Sequence, residues 1–292
     1  DDFSGTASES GFALVLVTTA NSTSLQMLTT TSGGALASLA FTDPSGTVLL
    51  DATENSPPRT YGLAFDTLVN SLHYATRSAD TALTNGVYKQ TLGVIQGQRA
   101  FSGTVVAKND LDLDRGVLRA TVFLVGDEAQ RTRTRTALDS AVAIWQSVYS
   151  RLGGGVTVQV VYKNVSSNTG IVPNPTVGSQ LFQQETAAGD IPAYSVPVFV
   201  GDDISADGTS IPGNSAGLLG VSAGIPGPAL PTQKSAVAIS IVNHAGSDGV
   251  FSDSDVSLLG ETMAHEVGHY LGLVHPVECR DRTCIAFTEG DA

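Results

Sequence analysis

The stretch SLLGETMAHEVGHYLGLVH, Ser257 to His275, carries His265, Glu266, His269, Gly272 and His275 in the pattern HExxHxxGxxH. On an α-helix, residues four apart lie one above the other, so His265 and His269 can aim their imidazoles at a single metal ion. Glu266 stands beside that face, within reach of a metal-bound water. Gly272 has no Cβ and takes the left-handed conformation that ends helices cheaply, so the turn it makes can bring His275 back as a third ligand. A chance match to five fixed positions is expected in on the order of one chain in 10⁵ of this length.

Working backwards, Asp253, Ser254 and Asp255 are candidate N-caps for the motif helix. Leu259, Met263, Val267 and Tyr270 or Leu271 form the stripe opposite the histidines, which predicts the face that packs on a sheet. SAVAISIV from Ser235, SVPVFVG from Ser195, VTVQVVY from Val156 and VLRATVFLV from Val117 read as strands bounded by Gly, Pro, Ser or Asp. Between two of them, Asp127 to Leu152 places Ala137, Leu138, Ala141, Ile144, Trp145, Val148 and Leu152 at helical spacing, with Trp145 read as core. The apolar but Gly- and Pro-studded segment Gly217 to Pro231 suits an edge strand or rim that can pair with an extended peptide. Strands alternating with helices predict an α/β domain over residues 115–292.

Residues 1–114 have another texture. Short apolar runs, among them FALVLVTT from Phe12, ALASLAF from Ala35, TVLL from Thr47, YGLAF from Tyr61, GVYKQTLGVI from Gly86 and FSGTVVA from Phe101, are cut by turn signals. They predict an all-β, sandwich-like domain, either a pro-domain or an accessory unit. The acidic break NDLDLDRG, 109–116, marks the boundary. Its Asp110, Asp112 and Asp114, like Asp202, Asp203 and Asp207 further on, read as solvated loops, with structural calcium as the second reading.

Composition narrows the class. Hydrophobic residues are 41% and charged residues 15%, as in a folded protein, and the net charge of -13 speaks against nucleic acid or an anionic membrane as partner. No apolar run reaches the roughly 18 residues of a membrane span. Abundant Thr, Ser, Gly, Ala and Val with few Lys suggests a secreted protein. Cys279 and Cys284, the two cysteines, are spaced to close a small disulfide loop in an oxidising compartment, free thiols or an outside partner being the other readings. His73 and His244 stand alone and read as structural residues.

Three imidazoles suit zinc and leave a fourth position for water, the arrangement of a catalytic site. Glu266 then serves as general base and proton carrier in peptide-bond hydrolysis. HEVGHYLGLVH resembles the zinc-binding consensus of the metzincin metalloendopeptidases, and the lead-in GETMAHEVGH is similar to their pappalysin-like branch. The resemblance implies His265, His269 and His275 as zinc ligands, Glu266 as general base, and a twisted mixed sheet with a backing helix, an active-site helix and an antiparallel edge strand for a protein or peptide substrate. Metzincins also carry a methionine turn after the third histidine, whereas Met27 and Met263 both precede it. The expectation is therefore a natural protein continuing past Ala292, or a second fragment that completes the domain. A non-catalytic, metal-stabilised binding or adhesion protein and a latent zymogen fragment stay open beside the protease.

Overall fold

The computed structural model describes residues 2–8, 13–19, 22–32, 36–51, 69–75, 82–94, 97–109, 116–151, 155–167, 169–205, 217–245, 249–273, 275, 277–280 and 283–286. The molecule is mixed α/β, with several sheets and a few helices. It divides into two units: Asp1–Leu113 with the short segments Gly224–Pro226 and Gly272–Ala292, and Asp114–Ala223 with Gly227–Leu271.

The regular structure described in the first stretch is all strand: β1 (Asp2–Ser8), β2 (Ala13–Thr19), β3 (Ser22–Thr31), β4 (Leu36–Thr42), β5 (Val48–Asp51), β6 (Val69–Ala75), β7 (Gly86–Val94) and β8 (Gln98–Asn109). They form two antiparallel sheets in the orders β1-β8-β3-β6 and β2-β7-β4-β5. Alternate residues of both sheets, including Leu25, Met27, Phe41, Leu72, Tyr88 and Leu92, meet in one buried cluster, as the two-residue period of a strand requires. β1, β3 and β6 escaped the sequence reading: β1 (DFSGTAS) and β3 (STSLQMLTTT) are rich in Ser and Thr, which look like turn chemistry until pairing buries Ser22, Thr23 and Thr29, and β6 (VNSLHYA) has no long apolar run. YGLAF and Asp110 to Asp114 lie outside the described residues.

The second unit is built on a five-stranded sheet. Its elements in order are β9 (Val117–Val125), α1 (Gly126–Ala129), α2 (Thr132–Tyr149), β10 (Thr157–Val165), β11 (Ile171–Val172), α3 (Gln180–Thr186), β12 (Val196–Gly201), β13 (Asp203–Ile204), β14 (Gly220–Ser222), β15 (Val237–Ser240), α4 (Val242–Ala245) and α5 (Asp253–Tyr270). The sheet runs β10-β9-β12-β15-β14, parallel except for β14, which is antiparallel to β15 at the edge. β9 and β12 are near-continuous apolar runs because central parallel strands are covered on both faces. Val122 and Val198 face α2 and α5, while Phe123 and Phe199 point the other way, stacked 4.4 Å apart with Phe182 of α3 against them.

Local chemistry accounts for the differences from the sequence reading. The helix expected over 127–152 is split, because Gln130 turns inward and donates to the carbonyls of Leu124 and Val165, and Arg131 is extended at the N-cap of α2. Trp145 is fully buried, as its stripe implied. The strand expected from Ser235 to Val242 spans only Val237–Ser240, after which the backbone N–H of Val242 turns to the Asp202 carbonyl and α4 begins.

Candidate metal centre

Helix α5 is capped by Ser252, the residue before its first turn, and not by Asp253, Ser254 or Asp255. The Ser252 hydroxyl accepts from the Asp255 N–H, and the Asp255 carboxylate accepts from the Ser252 N–H, a reciprocal capping box. The Ser252 hydroxyl, which also donates to that carboxylate at 2.6 Å, and then the Ser252 N–H hold the Asp255 carboxyl below the usual carboxylate range. Leu259, Met263, Val267 and Tyr270 are buried against the sheet, whereas Leu271 is 41% exposed, so Tyr270 closes the stripe. Gly260 lies on the flank facing α2, where a Cβ would stand 2.6 Å from the Ala141 carbonyl oxygen and 2.7 Å from Ile144 Cβ. One turn on, the Tyr149 hydroxyl donates to the Ala264 carbonyl at 2.9 Å.

This anchoring leaves Thr262, His265, Glu266 and His269 on one stripe, at positions i, i+3, i+4 and i+7. His265 Nε2 and His269 Nε2 are 3.0 Å apart, with the ring centroids 4.4 Å apart and the planes at 79°. Two nitrogens bonded to one tetrahedral zinc at 2.0–2.1 Å lie about 3.3 Å apart, so this spacing fits two ligands of one ion. His275, six residues beyond His269, offers a ring nitrogen, and one nitrogen from each of the three lies within 4.8 Å of the others. Gly272, at φ 104°, makes the left-handed turn that ends the helix just before it. Three imidazoles with no carboxylate suit zinc rather than calcium. Among the described residues no other trio of His, Cys, Asp or Glu converges in this way. Asp203 Oδ1 is instead engaged by the Ile204 N–H at 2.9 Å, and Asp207 lies outside the described residues.

Glu266 is partly buried and faces the edge strand. A Cβ on Gly220 would come within 2.8 Å of Glu266 Cγ, 2.9 Å of Thr262 Cγ2 and 3.0 Å of Ile239 Cδ1, so β14 rides directly on the helix. Past β14 the chain is tied to the end of α5. The Tyr270 hydroxyl donates to the Pro228 carbonyl at 2.6 Å, and the Gly227 N–H donates to the Tyr270 carbonyl at 2.9 Å. The Gly217 to Pro231 segment thus contributes both an edge strand and a rim.

His244 is buried, but it is tied to the motif helix. Its Nδ1 is 2.6 Å from the Ser240 carbonyl and its Nε2 is 3.1 Å from Thr262 Oγ1. Burial pushes the imidazole below its ordinary value, against the pull of the Ser240 carbonyl and Asp255. Neither Thr262 nor Gly220 was singled out by sequence. The one signal was Thr262 three residues before the first motif histidine.

Among the described residues no helix is long and apolar enough to cross a membrane. No protein-family model matches the chain, and no curated protein sequence does. Among solved structures the chain is similar to archaemetzincin from Methanopyrus kandleri, at 18% identity over 61% of this chain and 85% of that one, with a TM-score of 0.33.

Proposed function

We propose that the chain is a zinc-dependent endopeptidase of metzincin type that hydrolyses peptide bonds of proteins. The observation that carries this is the pair of motif imidazoles one helical turn apart, 3.0 Å from nitrogen to nitrogen, with His275 converging on them and Glu266 beside them. His265, His269 and His275 would hold the metal. Bound zinc supplies Lewis acidity toward a carbonyl and acidifies a water at neutral pH. The chain's own part is to hold and move a proton. Glu266 takes it from the attacking water and returns it to the departing amine nitrogen, so no strong base is released. As the last strand of its sheet, β14 would pair through its backbone N–H and C=O groups with an extended peptide laid beside the motif helix.

The division at 114/115 and an extracellular setting belong to this proposal. Cys279 and Cys284 stand opposite each other in the register of the hairpin formed by β16 (Val277–Arg280) and β17 (Thr283–Ala286), which suits an oxidising compartment. The test is Glu266→Ala in zinc-loaded protein. Hydrolysis of a quenched-fluorescence peptide mixture should fall by about 10²–10⁴-fold with the zinc content unchanged; full activity in the variant would sink the assignment.

A further inference from the structure

His244, Thr262 and Gly220 lie outside the metal-binding motif, and together they bear on where Glu266 stands; this role for them rests on the peptidase activity proposed above. The carbonyl of Ser240, the last residue of β15, has only lone pairs to offer. In its 2.6 Å contact with His244, therefore, Nδ1 must carry the hydrogen. In a neutral ring, Nε2 is then a bare acceptor facing Thr262 Oγ1 at 3.1 Å, and the one hydroxyl proton of Thr262 is shared between it and the Leu258 carbonyl, to which the hydroxyl donates at 2.8 Å. The Leu258 carbonyl, one turn back on α5, thus holds the Thr262 hydroxyl from the helix side while His244 holds it from the side of β15. The buried ring thus bridges the end of β15 to the face of α5 that carries the motif. β15 is also the strand on which β14 pairs, with Gly220 opposite Ile239.

With Oγ1 turned to His244, the Thr262 methyl closes one side of the seat in which Gly220 rests. Glu266 Cγ closes the second side and Ile239 Cδ1 the third, with distances of 2.8–3.0 Å to where a Cβ would be. A Cβ in this seat would force these side chains to shift, and the depth of the seat sets how closely the edge strand approaches the Glu266 side chain. We infer that His244, as its Nδ1–H tautomer, is a positioning residue: it locks the Thr262 side chain and so fixes the seat of the edge strand beside Glu266. A peptide laid on β14 would inherit that spacing, and a displacement of a fraction of an ångström affects turnover more than binding.

The test uses the full zinc-loaded chain and reads kcat and KM per folded, zinc-loaded molecule on a quenched-fluorescence peptide mixture. His244→Phe and Thr262→Val should each lower kcat by about tenfold while KM stays within about twofold, and Thr262→Ser, which keeps the hydroxyl, should recover most of that loss. Gly220→Ala should move kcat in the same direction with the His244–Thr262 pair intact. A purely structural role would lower the folded fraction and leave kcat per folded molecule unchanged, and that result overturns the inference. If His244→Phe does not fold, Thr262→Val decides. Independently of activity, ¹⁵N NMR of the metal-free chain should show His244 protonated at Nδ1, with the ring signals shifting in Thr262→Val; an Nε2–H tautomer overturns the inference. A wild-type chain that cleaves nothing yet shows the Nδ1–H signature sinks the peptidase reading instead.

Discussion

At the scale of the residue, the division of labour within the motif comes from side-chain chemistry. An imidazole presents one nitrogen lone pair along a fixed direction, so the 3.0 Å approach of His265 and His269 is tolerable only if a proton or a metal ion lies between them. Replacing His269 by Ala removes one of three candidate ligands and leaves His265 to face His275 alone. Zinc measured by elemental analysis after gel filtration should fall from near one equivalent per chain to a small fraction, whereas Glu266→Ala keeps its zinc. Retention of a full equivalent by the His269 variant would argue against the histidine site. Tyr270, adjacent in sequence to His269, has a separate task, since its hydroxyl holds the Pro228 carbonyl and its burial pushes the phenol far above its ordinary value.

At the scale of the element, α5 has three distinct faces. One packs on the sheet through Leu259, Met263 and Val267, one meets α2 at Gly260 and Ala264, and one carries the histidines. Gly260→Ala sets two effects against each other. Helix propensity would favour Ala by about 1 kcal/mol. The new methyl would meet the Ala141 carbonyl oxygen at 2.6 Å, a backbone atom that cannot swing aside, and overpacking of this kind costs about 1–3 kcal/mol. Overpacking should win, and thermal unfolding should begin a few degrees lower. A higher Tm in the variant would mean that the two helices separate without cost.

At the scale of the whole molecule, pH acts on groups that folding withdraws, wholly or in part, from water. Partial burial, with Lys108 nearby, pushes the half-buried His73 in β6 down to about 4 from an ordinary 6.5. The unfolded chain therefore binds a proton at this position that the folded chain refuses. Stability is unaffected above pH 6.5, declines as pH falls from 6.5 toward 4, and stops declining from this source below that. His244 contributes in the same direction, because burial lowers its value too. In denaturant titrations between pH 7 and 4, His73→Gln should show a shallower loss of stability than the parent chain; parallel curves would mean that His73 reaches water in the folded state.

Neighbours within a few positions of one another encode the helix that carries the site, its buried stripe, Trp145 as core, the helix-ending turn at Gly272 and the edge placement of the Gly217 to Pro231 segment. All of these were legible in the amino-acid order, because the 3.6-residue period, the freedom of glycine and the turn chemistry of Gly and Pro act over short range. The remainder needed the folded chain. The Ser- and Thr-rich strand β3 is apolar only in the company of its partners, and the turn at Gln130 depends on a carbonyl 35 residues away. Thr262 looked like one more residue of a helix until β14 and His244, from other parts of the chain, closed on it. Local spacing can aim two imidazoles at one ion; the distance from Glu266 to the strand beside it is set by packing between segments that the sequence keeps more than 40 residues apart.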